Sequence, residues 1–350
     1  VDLSLGIQAI PEGPALTHLF GWNDFAASGF AQMALAQDGA LYRFDLDPAA
    51  PTASMGWRKV TDKPEQRDFV MTHNSDGSLG TFYSGAELVW EGATCTSDTT
   101  NFYRSDDQGA SWTTVTSDKA RRPLAILLGQ AETVLAATCS GPELSFDGGA
   151  TWFGGANMNW PYTYGAAQLD VRYVASSATA TPQWIALYAA GVDENGAPFV
   201  LRSLFDAAAG GVGEWQSITP EGMEKPLALF APDSGNSVLP LGNQDDLYVV
   251  DHNALWMSSD DGASWQSLPF AAGVARVVGI ATFRPNAFDS GVLLATDKGL
   301  MMAPVAGGEG EWIGLSAPFD EQAVDIQISS PTGLYINMRD RVYFLPNDFL

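Results

Sequence analysis

Ser105-Asp106-Asp107-Gln108-Gly109-Ala110-Ser111-Trp112 is one of three stretches with the form Ser-x-Asp-x-Gly-x-Ser/Thr-Trp. The others run from Ser145 through Asp147, Gly149 and Thr151 to Trp152, and from Ser258 through Asp260, Gly262 and Ser264 to Trp265. Five fixed positions met three times do not arise by chance. Each stretch has the chemistry of a tight hairpin: the Asp accepts hydrogen bonds from turn amides, the Gly supplies a positive φ, and the Trp opens the next strand with its ring buried. Weaker copies keep the Trp after a Gly or a polar turn at Gly56-Trp57, Gly213-Glu214-Trp215 and Gly310-Glu311-Trp312. The six Trp positions, 57, 112, 152, 215, 265 and 312, are 55, 40, 63, 50 and 47 residues apart, a mean of 51. A period near 50 made of short strands is that of a propeller blade.

One period before Trp57 lies Val1-Asp2-Leu3-Ser4-Leu5-Gly6-Ile7, an alternating apolar segment with no upstream partner. After Trp312 come three strand-like runs, Ala323-Ile328, Gly333-Met338 and Arg341-Leu345, and no fourth. The two ends complete each other, which predicts an all-β chain forming a single seven-bladed β-propeller of four-stranded antiparallel blades. Its ring is closed by the N-terminal strand joining the C-terminal blade. The blades are expected at about 18-60, 61-116, 117-156, 157-219, 220-269, 270-316 and 317-350 plus 1-8. The fifth reads most easily, as Pro226-Ala231, Asp246-Val250, Ala254-Ser258 and Trp265-Leu268, and the sixth opens with Val277-Arg284, Gly291-Thr296 and Gly299-Ala303. Several inner strands read as continuous apolar runs, as expected where both faces pack on neighbours.

The three motifs resemble Asp-box (BNR) repeats, and the segment Phe283-Arg284-Pro285-Asn286 with Val292-Asp297 is similar to blades of exported bacterial Asp-box proteins of unassigned role. The resemblance implies that Ser105, Asp107, Gly109 and Trp112, Ser145, Asp147, Gly149 and Trp152, and Ser258, Asp260, Gly262 and Trp265 are structural. The Asp would be consumed by its own turn at the outer edge of a blade, and the Trp would pack between blades. Asp-box propellers include sialidases, xyloglucanases built of two propellers, sortilin-type ectodomains and photosystem assembly factors, so function must be argued from the site. The sialidase pattern of three arginines and an early Phe/Tyr-Arg-Ile-Pro is not matched. Phe283-Arg284-Pro285-Asn286 falls in the sixth blade, and Arg121-Arg122 and Arg339-Arg341 lack a third partner. The arginine cluster expected of a photosystem assembly factor is missing as well.

The chain carries 41 Asp and Glu against 17 Lys and Arg, a net charge of -24. Nucleic acid is excluded as a partner, because binding phosphates requires a basic face. With 46% hydrophobic and 11% aromatic residues, 36 Gly and 20 Pro, the composition is that of a folded, turn-rich protein. Its longest apolar stretches fall short of the roughly 20 residues of a membrane helix, so no membrane-spanning segment is expected. Two cysteines, Cys95 and Cys139, each close an Ala-Thr-Cys tripeptide, which implies equivalent positions in adjacent repeats. They either pair, closing a loop of about 44 residues, or stand as two buried thiols on strands. The sequence opens at Val1 with no Met and no basic-then-apolar leader, so a leader has either been removed or was never part of it. Five lysines, abundant acid, Gly and Trp and the possible disulfide favour an exported protein, extracellular, periplasmic or at the cell surface.

A site on such a scaffold belongs to the face formed by loops joining second to third strands and by loops between blades. Those segments include Asp193-Glu194-Asn195, Asp251-His252-Asn253, Asp297-Lys298 and Arg339-Asp340-Arg341. His252 beside Asp251 reads either as a binding pair or as a hairpin turn with a solvated imidazole. Asn157-Met158-Asn159-Trp160-Pro161-Tyr162-Thr163-Tyr164 is the most unusual run, and its Trp160, Tyr162 and Tyr164 with Asn157 and Asn159 form either a recognition surface or an aromatic cluster packing over a neighbouring blade. Insertions at Glu91-Asn101 and Asp206-Gly213 are polar or Gly/Ala-rich, the second read as a flexible outer hairpin. No His-x-His or Cys-x-x-Cys spacing suggests a metal, and no cofactor is expected. These features fit a non-catalytic binding or assembly module with a protein partner in a cell-surface or membrane-associated complex. A glycoside hydrolase or lectin acting on glycans, and a structural subunit of a surface layer or filament, are the alternatives.

Overall fold

The computed structural model of the 350-residue chain describes residues 8–9, 16–24, 29–36, 40–46, 57–61, 68–73, 79–91, 94–126, 132–162, 168–174, 184–206, 211–231, 246–270, 274–275, 277–283, 291–297, 299–304, 312–314, 325–329, 333–337 and 342–346. Along the chain β1 (Gln8–Ala9) is followed by a first sheet of β2 (Leu16–Asp24), β3 (Gly29–Ala36), β4 (Leu41–Leu46) and β5 (Trp57–Thr61). The second sheet combines β6 (Asp68–His73) and β7 (Leu79–Gly85) with β10 (Phe102–Ser105) and β11 (Thr113–Thr116). Between them a separate hairpin of β8 (Leu88–Glu91) and β9 (Thr94–Ser97) is inserted. The third comprises β12 (Arg122–Ile126), β13 (Val134–Thr138), β14 (Gly141–Ser145) and β15 (Phe153–Gly154), with a 3₁₀ turn at Gly155–Met158 after it.

In the fourth sheet β16 (Gln168–Val174), β17 (Trp184–Val192) and β18 (Pro198–Asp206) are followed by β19 (Gly211–Val212) and β20 (Gln216–Ser217), which share the place of a fourth strand along β18. The fifth holds β21 (Pro226–Phe230), β22 (Leu247–Asp251), β23 (Ala254–Ser258) and β24 (Gln266–Pro269). The sixth holds β25 (Val277–Phe283), β26 (Gly291–Thr296), β27 (Gly299–Pro304) and β28 (Ile313–Gly314). The last holds β29 (Asp325–Ser329), β30 (Gly333–Asn337) and β31 (Val342–Pro346), and β1 pairs antiparallel with β31 through Gln8↔Phe344 and Ala9↔Tyr343. The apolar segment Val1-Ile7 lies outside the described residues, and the pairing strand is the two residues that follow it. All the described strand pairings are antiparallel, and all but that of β1 with β31 join sequence neighbours or near neighbours, as short turns require.

The chain divides into two compact units. One contains residues 1–64, 237–242 and 269–350; the other contains 65–236 and 243–268. In the first unit β29 packs against β2 and β25. In the second, β6 packs on β12, β12 on β16, and β16 and β17 on β21, so successive sheets meet face to face. That stacking explains the apolar inner strands: β13 is buried along its whole length because Val134 meets Tyr83 and Phe102 of the second sheet while Leu135 meets Leu187 and Phe205 of the fourth.

The three repeat turns are alike in detail. Ser105 Oγ donates to Asp107 Oδ1 (2.8 Å) and accepts from Gly109 N (2.8 Å), while Asp107 accepts from Ser111 N (2.8 Å) and Ser111 Oγ (2.5 Å). Asp147 and Asp260 repeat the pattern with Thr151 and Ser264. Hydrogen bonds from Ser111 hold the Asp107 carboxyl below its ordinary range, and those from Ser264 do the same for Asp260; at Asp147 burial opposes the shift and Thr151 prevails. Gly149, at φ 91°, sits where a Cβ would come within 2.9 Å of the Phe102 ring, so both its conformation and its neighbour demand glycine. The indoles of Trp112, Trp152 and Trp265 are half-buried rather than fully enclosed. Trp152 meets Phe102 of the second sheet edge-on at 5.0 Å, a contact between sheets.

Two of the contacts between sheets are fastened by the same device at the fourth position of the following repeat turn. Tyr188 on β17 and Arg202 on β18 are cross-strand partners. They grip Asp261 of the fifth sheet, the Tyr188 hydroxyl donating to Oδ1 and Arg202 Nη2 lying 2.5 Å from Oδ2. Tyr83 on β7 and Arg104 on β10 are partnered in the same register. The corresponding turn residue of the third sheet is Gly148, and a Cβ there would lie 2.4 Å from Glu132 Oε2, 2.6 Å from Arg104 Nη1 and 3.2 Å from the Tyr83 hydroxyl. Glu132 therefore occupies the place of the missing side chain and takes Arg104 Nη1 at 2.6 Å. Burial pushes the Tyr83 hydroxyl up to about 12, with Arg104 opposing and Glu132 and Asp106 adding to the rise.

Candidate functional site

Because strands alternate in direction, connections from second to third strands and connections between sheets emerge at the same end of each sheet. Within the second unit these segments touch. The β8–β9 hairpin replaces the expected polar loop at Glu91-Asn101, and Cys95 on β9 is bonded to Cys139 in the β13–β14 turn, with Cα atoms 5.6 Å apart. The pairing question is thus settled in favour of a disulfide. The equivalence implied by the tripeptides is only approximate, since both cysteines follow the second strand of their sheets but Cys95 belongs to an extra hairpin. Leu88 of that hairpin packs against the cluster formed by Trp160, Ala189, Phe199 and Leu201.

Beneath the hairpin lies an ion network. Arg121, 3% exposed, donates from Nε to Glu143 Oε2 (2.8 Å) and from Nη1 to Asp118 Oδ1 (2.6 Å), and Lys119 Nζ reaches Glu143 Oε1 at 2.6 Å. The Arg121 guanidinium also lies 4.8 Å from the centroid of the Trp152 ring. Arg121 holds the Asp118 carboxyl far below the usual aspartate range. Arg121 belongs to this internal network, and its sequence neighbour Arg122 begins β12.

The aromatic run divides. Trp160 is 8% exposed and its ring covers Gly141, where a Cβ would approach to 2.7 Å; it meets Trp215 edge-on at 5.0 Å. Of the two readings of this run, packing is what the geometry gives for Trp160. Tyr162 is half-buried, stacked on Phe199 at 4.5 Å. Burial, followed by the nearby Asp193 and Glu194 charges, raises its hydroxyl above the ordinary phenol value. Asn159, in the left-handed region at φ 50°, donates from Nδ2 to the Val212 carbonyl at 2.6 Å and ties the run to the fourth sheet. Asn157 is exposed on the 3₁₀ turn. Tyr164 lies outside the described residues, as do Lys298, residues 284–286 and residues 339–341.

Asp251 is 2% exposed, a buried carboxylate that accepts the amides of Glu224 (2.7 Å), Lys225 (3.4 Å) and Asn253 (3.1 Å). It staples the entry loop of the fifth sheet to the β22–β23 turn. Asp297 does the same in the sixth sheet by accepting the Ala275 amide at 2.9 Å. His252 remains partly exposed between two carboxylates. Its Nδ1 is 2.6 Å from Asp251 Oδ1, at an angle that is not that of a hydrogen bond, and its Nε2 is 3.4 Å from Glu224 Oε2. The 193–197 turn is held by Asp193, whose Oδ1 accepts the amides of Asn195 and Ala197, each at 2.8 Å; these bonds, from Ala197 foremost, lower its carboxyl.

Among the described residues, the groups this face offers to solvent include the edge of Tyr162, Glu194, Asn195, Glu224, Lys225, the His252 imidazole and, on the hairpin, Val89 at 46% exposure. Sequence reading missed the hairpin because Leu88, Val89 and Trp90 precede the polar stretch; their β-branched and aromatic character, followed by Gly92, was the available signal. Among the described residues, no group of three or more His, Cys, Asp or Glu side chains has the geometry to hold a metal ion, and no helix is long and apolar enough to cross a membrane.

No protein-family model matches the chain, and no curated protein matches it. Solved structures do. YCF48 bound to D1 peptide is similar over 97% of this chain and 94% of its own, with 13% identity and a TM-score of 0.55. YCF48 from Cyanidioschyzon merolae is similar over 99% and 100%, with 11% identity and a TM-score of 0.59. The β-propeller domain of Myceliophteria thermophila Cps50 (Swd1) is similar over 96% and 98%, with 13% identity and a TM-score of 0.57. At such identities the likeness speaks for the fold, and with the stacked antiparallel sheets it makes this chain an all-β protein of the propeller fold.

Proposed function

We propose that the chain is a non-catalytic binding or assembly module that presents loops on a seven-bladed propeller to a protein partner. Six four-stranded sheets, the five-stranded fourth sheet and the pairing of β1 with β31 support seven blades with the ring closed by the N-terminal strand. The self-contained hydrogen bonding of Asp107, Asp147 and Asp260 supports counting the three motifs among Asp boxes. The observation that carries the functional reading is the whole-length likeness to YCF48, one structure of which holds a D1 peptide. The Cys95–Cys139 bridge supports export to an oxidising compartment, where such bonds persist, and hence a role in a cell-surface or membrane-associated complex.

The loop face suits a partner that carries positive charge. Its exposed charges include Glu194, Glu224 and, beside the latter, Lys225, and the chain's net charge of -24 attracts cations to the molecule as a whole. The test is capture of partners from the source organism on the intact protein at low and high salt, with native mass determination of what is held. A single protein in fixed ratio, lost with Glu194→Lys/Glu224→Lys, is the expected result. Recovery of the uncombined chain under all salt conditions would overturn the reading.

A further inference from the structure

Besides the fourth position, the repeat turns, which agree at their fixed positions, differ at two more. The residue after the first Ser is Asp106, Phe146 or Ser259, and the residue after the Trp is Thr113, Phe153 or Gln266. In the second and fifth sheets both positions are exposed and polar. In the third both are Phe, 39% and 44% exposed, with ring centroids 5.8 Å apart. The contact between the third and fourth sheets also lacks the Tyr–Arg grip, because Leu135 and Leu144 stand as cross-strand partners where Tyr83 and Arg104 stand one sheet earlier. Across from them the fourth sheet's turn is lengthened, so that Ser203 and Trp215 are 12 residues apart rather than the 7 between Ser105 and Trp112.

The result is an open cleft of about 250 Å³ lined by Leu144, Met158, Phe205, Val212 and the two Phe rings, with Asn157 as its polar member. Phe146 lies 6.2 Å from Phe205, centroid to centroid. Two solvent-facing Phe residues at positions that the other repeats make polar do not serve the turn, whose hydrogen bonds are complete without them. Small-molecule sites typically enclose about 300–1,000 Å³, so this cleft is sized for one side chain, the unit by which an interface anchors. On the segments that frame it, 141–162 and 211–217, Glu143 is buried and paired with Arg121 and Lys119, while Asp147, held in its own turn, and the exposed Glu214 make the rim negative with no Lys or Arg beside them.

We propose that this cleft is a docking site for one aromatic or leucine-like side chain carried on a cationic segment of a partner protein. The apolar walls take the anchor, and the acidic frame selects the flanking lysines or arginines while disfavouring a second copy of this acidic chain. The proposal rests on the binding-module reading only in taking the occupant to be a protein segment.

The probe is a peptide, Gly-Lys-Lys-Phe-Lys-Lys-Gly, compared with versions carrying Ser for Phe or Glu for every Lys. The intact protein is expected to bind the Lys/Phe peptide roughly tenfold more tightly than either control. Phe146→Ser/Phe153→Gln, which installs the fifth sheet's own residues, is expected to remove that preference while leaving the far-ultraviolet spectrum and Tm in place. A benzophenone-bearing residue in place of the peptide Phe is expected to crosslink to Leu144, Phe146, Phe153, Met158, Phe205 or Val212 of the unaltered chain. Equal binding of the Phe and Ser peptides, or crosslinks that map elsewhere, would overturn the site. A native partner captured equally by wild type and the double variant would refute this cleft yet leave the loop-face reading standing. Crosslinks in the cleft with no partner captured would do the reverse.

Discussion

The contact between the second and third sheets and the contact between the third and fourth use the same strands of the same repeat and are joined in opposite ways. The first is fastened by Tyr83, Arg104 and Glu132 at one end and by Arg121, Glu143 and the Cys95–Cys139 bridge at the other. The second is an apolar contact of Leu135, Leu144, Met158, Leu187, Phe205 and Val212. A closed contact spends its side chains on each other, whereas the apolar one leaves two Phe rings at the surface. Periodic scaffolds thus acquire a site where one repeat stops making the contact that its neighbours make.

Severing the covalent tie should have the largest effect on this contrast. In the chain-entropy account a 44-residue loop is worth about 4 kcal/mol, so Cys95→Ser/Cys139→Ser should lower the denaturant midpoint strongly, with exchange protection lost first in 88–97. Next comes Arg202→Met, which leaves Asp261 beside Tyr188 without its cation. The pair is about a fifth exposed, so a cost of roughly 1–3 kcal/mol is expected, below that of a fully buried pair, with calorimetry as the check.

The grip can also be rewired. Gly148→Asp alone should cost about 1–2 kcal/mol by crowding Glu132, whereas Gly148→Asp/Glu132→Ala should return to within about 0.5–1 kcal/mol of wild type, because Asp261 shows that the turn accepts Asp at φ 61°. If the double variant is no better than the sum of its parts, the two grips are not equivalent.

Acid should separate the contacts further. Asp118 is depressed in the folded chain, so the unfolded chain binds its proton first. The stabilisation is complete above the ordinary aspartate range, near pH 4, and is lost as pH falls below it. The Tm difference between wild type and Asp118→Asn should therefore be largest above about pH 5, begin to shrink below about pH 4, and still be mostly present at about pH 3. The smallest effect belongs to Phe146→Ser/Phe153→Gln, expected within about 0.5 kcal/mol of wild type because both rings are exposed. A large loss there would mean that the rings act as core.

The repeat period and turn chemistry were legible because both are local. Ser105, Asp107, Gly109 and Ser111 satisfy one another within seven residues, so their spacing alone announces the hairpin. The strands of the fifth sheet fall within one or two residues of the apolar runs that predict them. What stayed hidden depends on partners distant in sequence. The burial of Trp160 requires Gly141 and Trp215, the staple made by Asp251 requires the Glu224 amide, and the disulfide requires a hairpin that pattern reading took for a loop. Phe146 and Phe153 were visible as letters, but attention to the fixed positions of a repeat passes over its variable ones, where this chain departs from its own rule.

One consequence of the Glu132 grip concerns descent rather than stability. Aligned repeat against repeat, Gly148 reads as the loss of the carboxylate that Asp261 supplies, although the charge has only moved 16 residues upstream. Once Glu132 fills the space, any side chain at 148 becomes an encumbrance, and a glycine there is the stable end of the exchange. In related chains, the ancestry of this contact should be traced by asking which residue delivers an oxygen to Arg104, whatever column of the alignment it comes from.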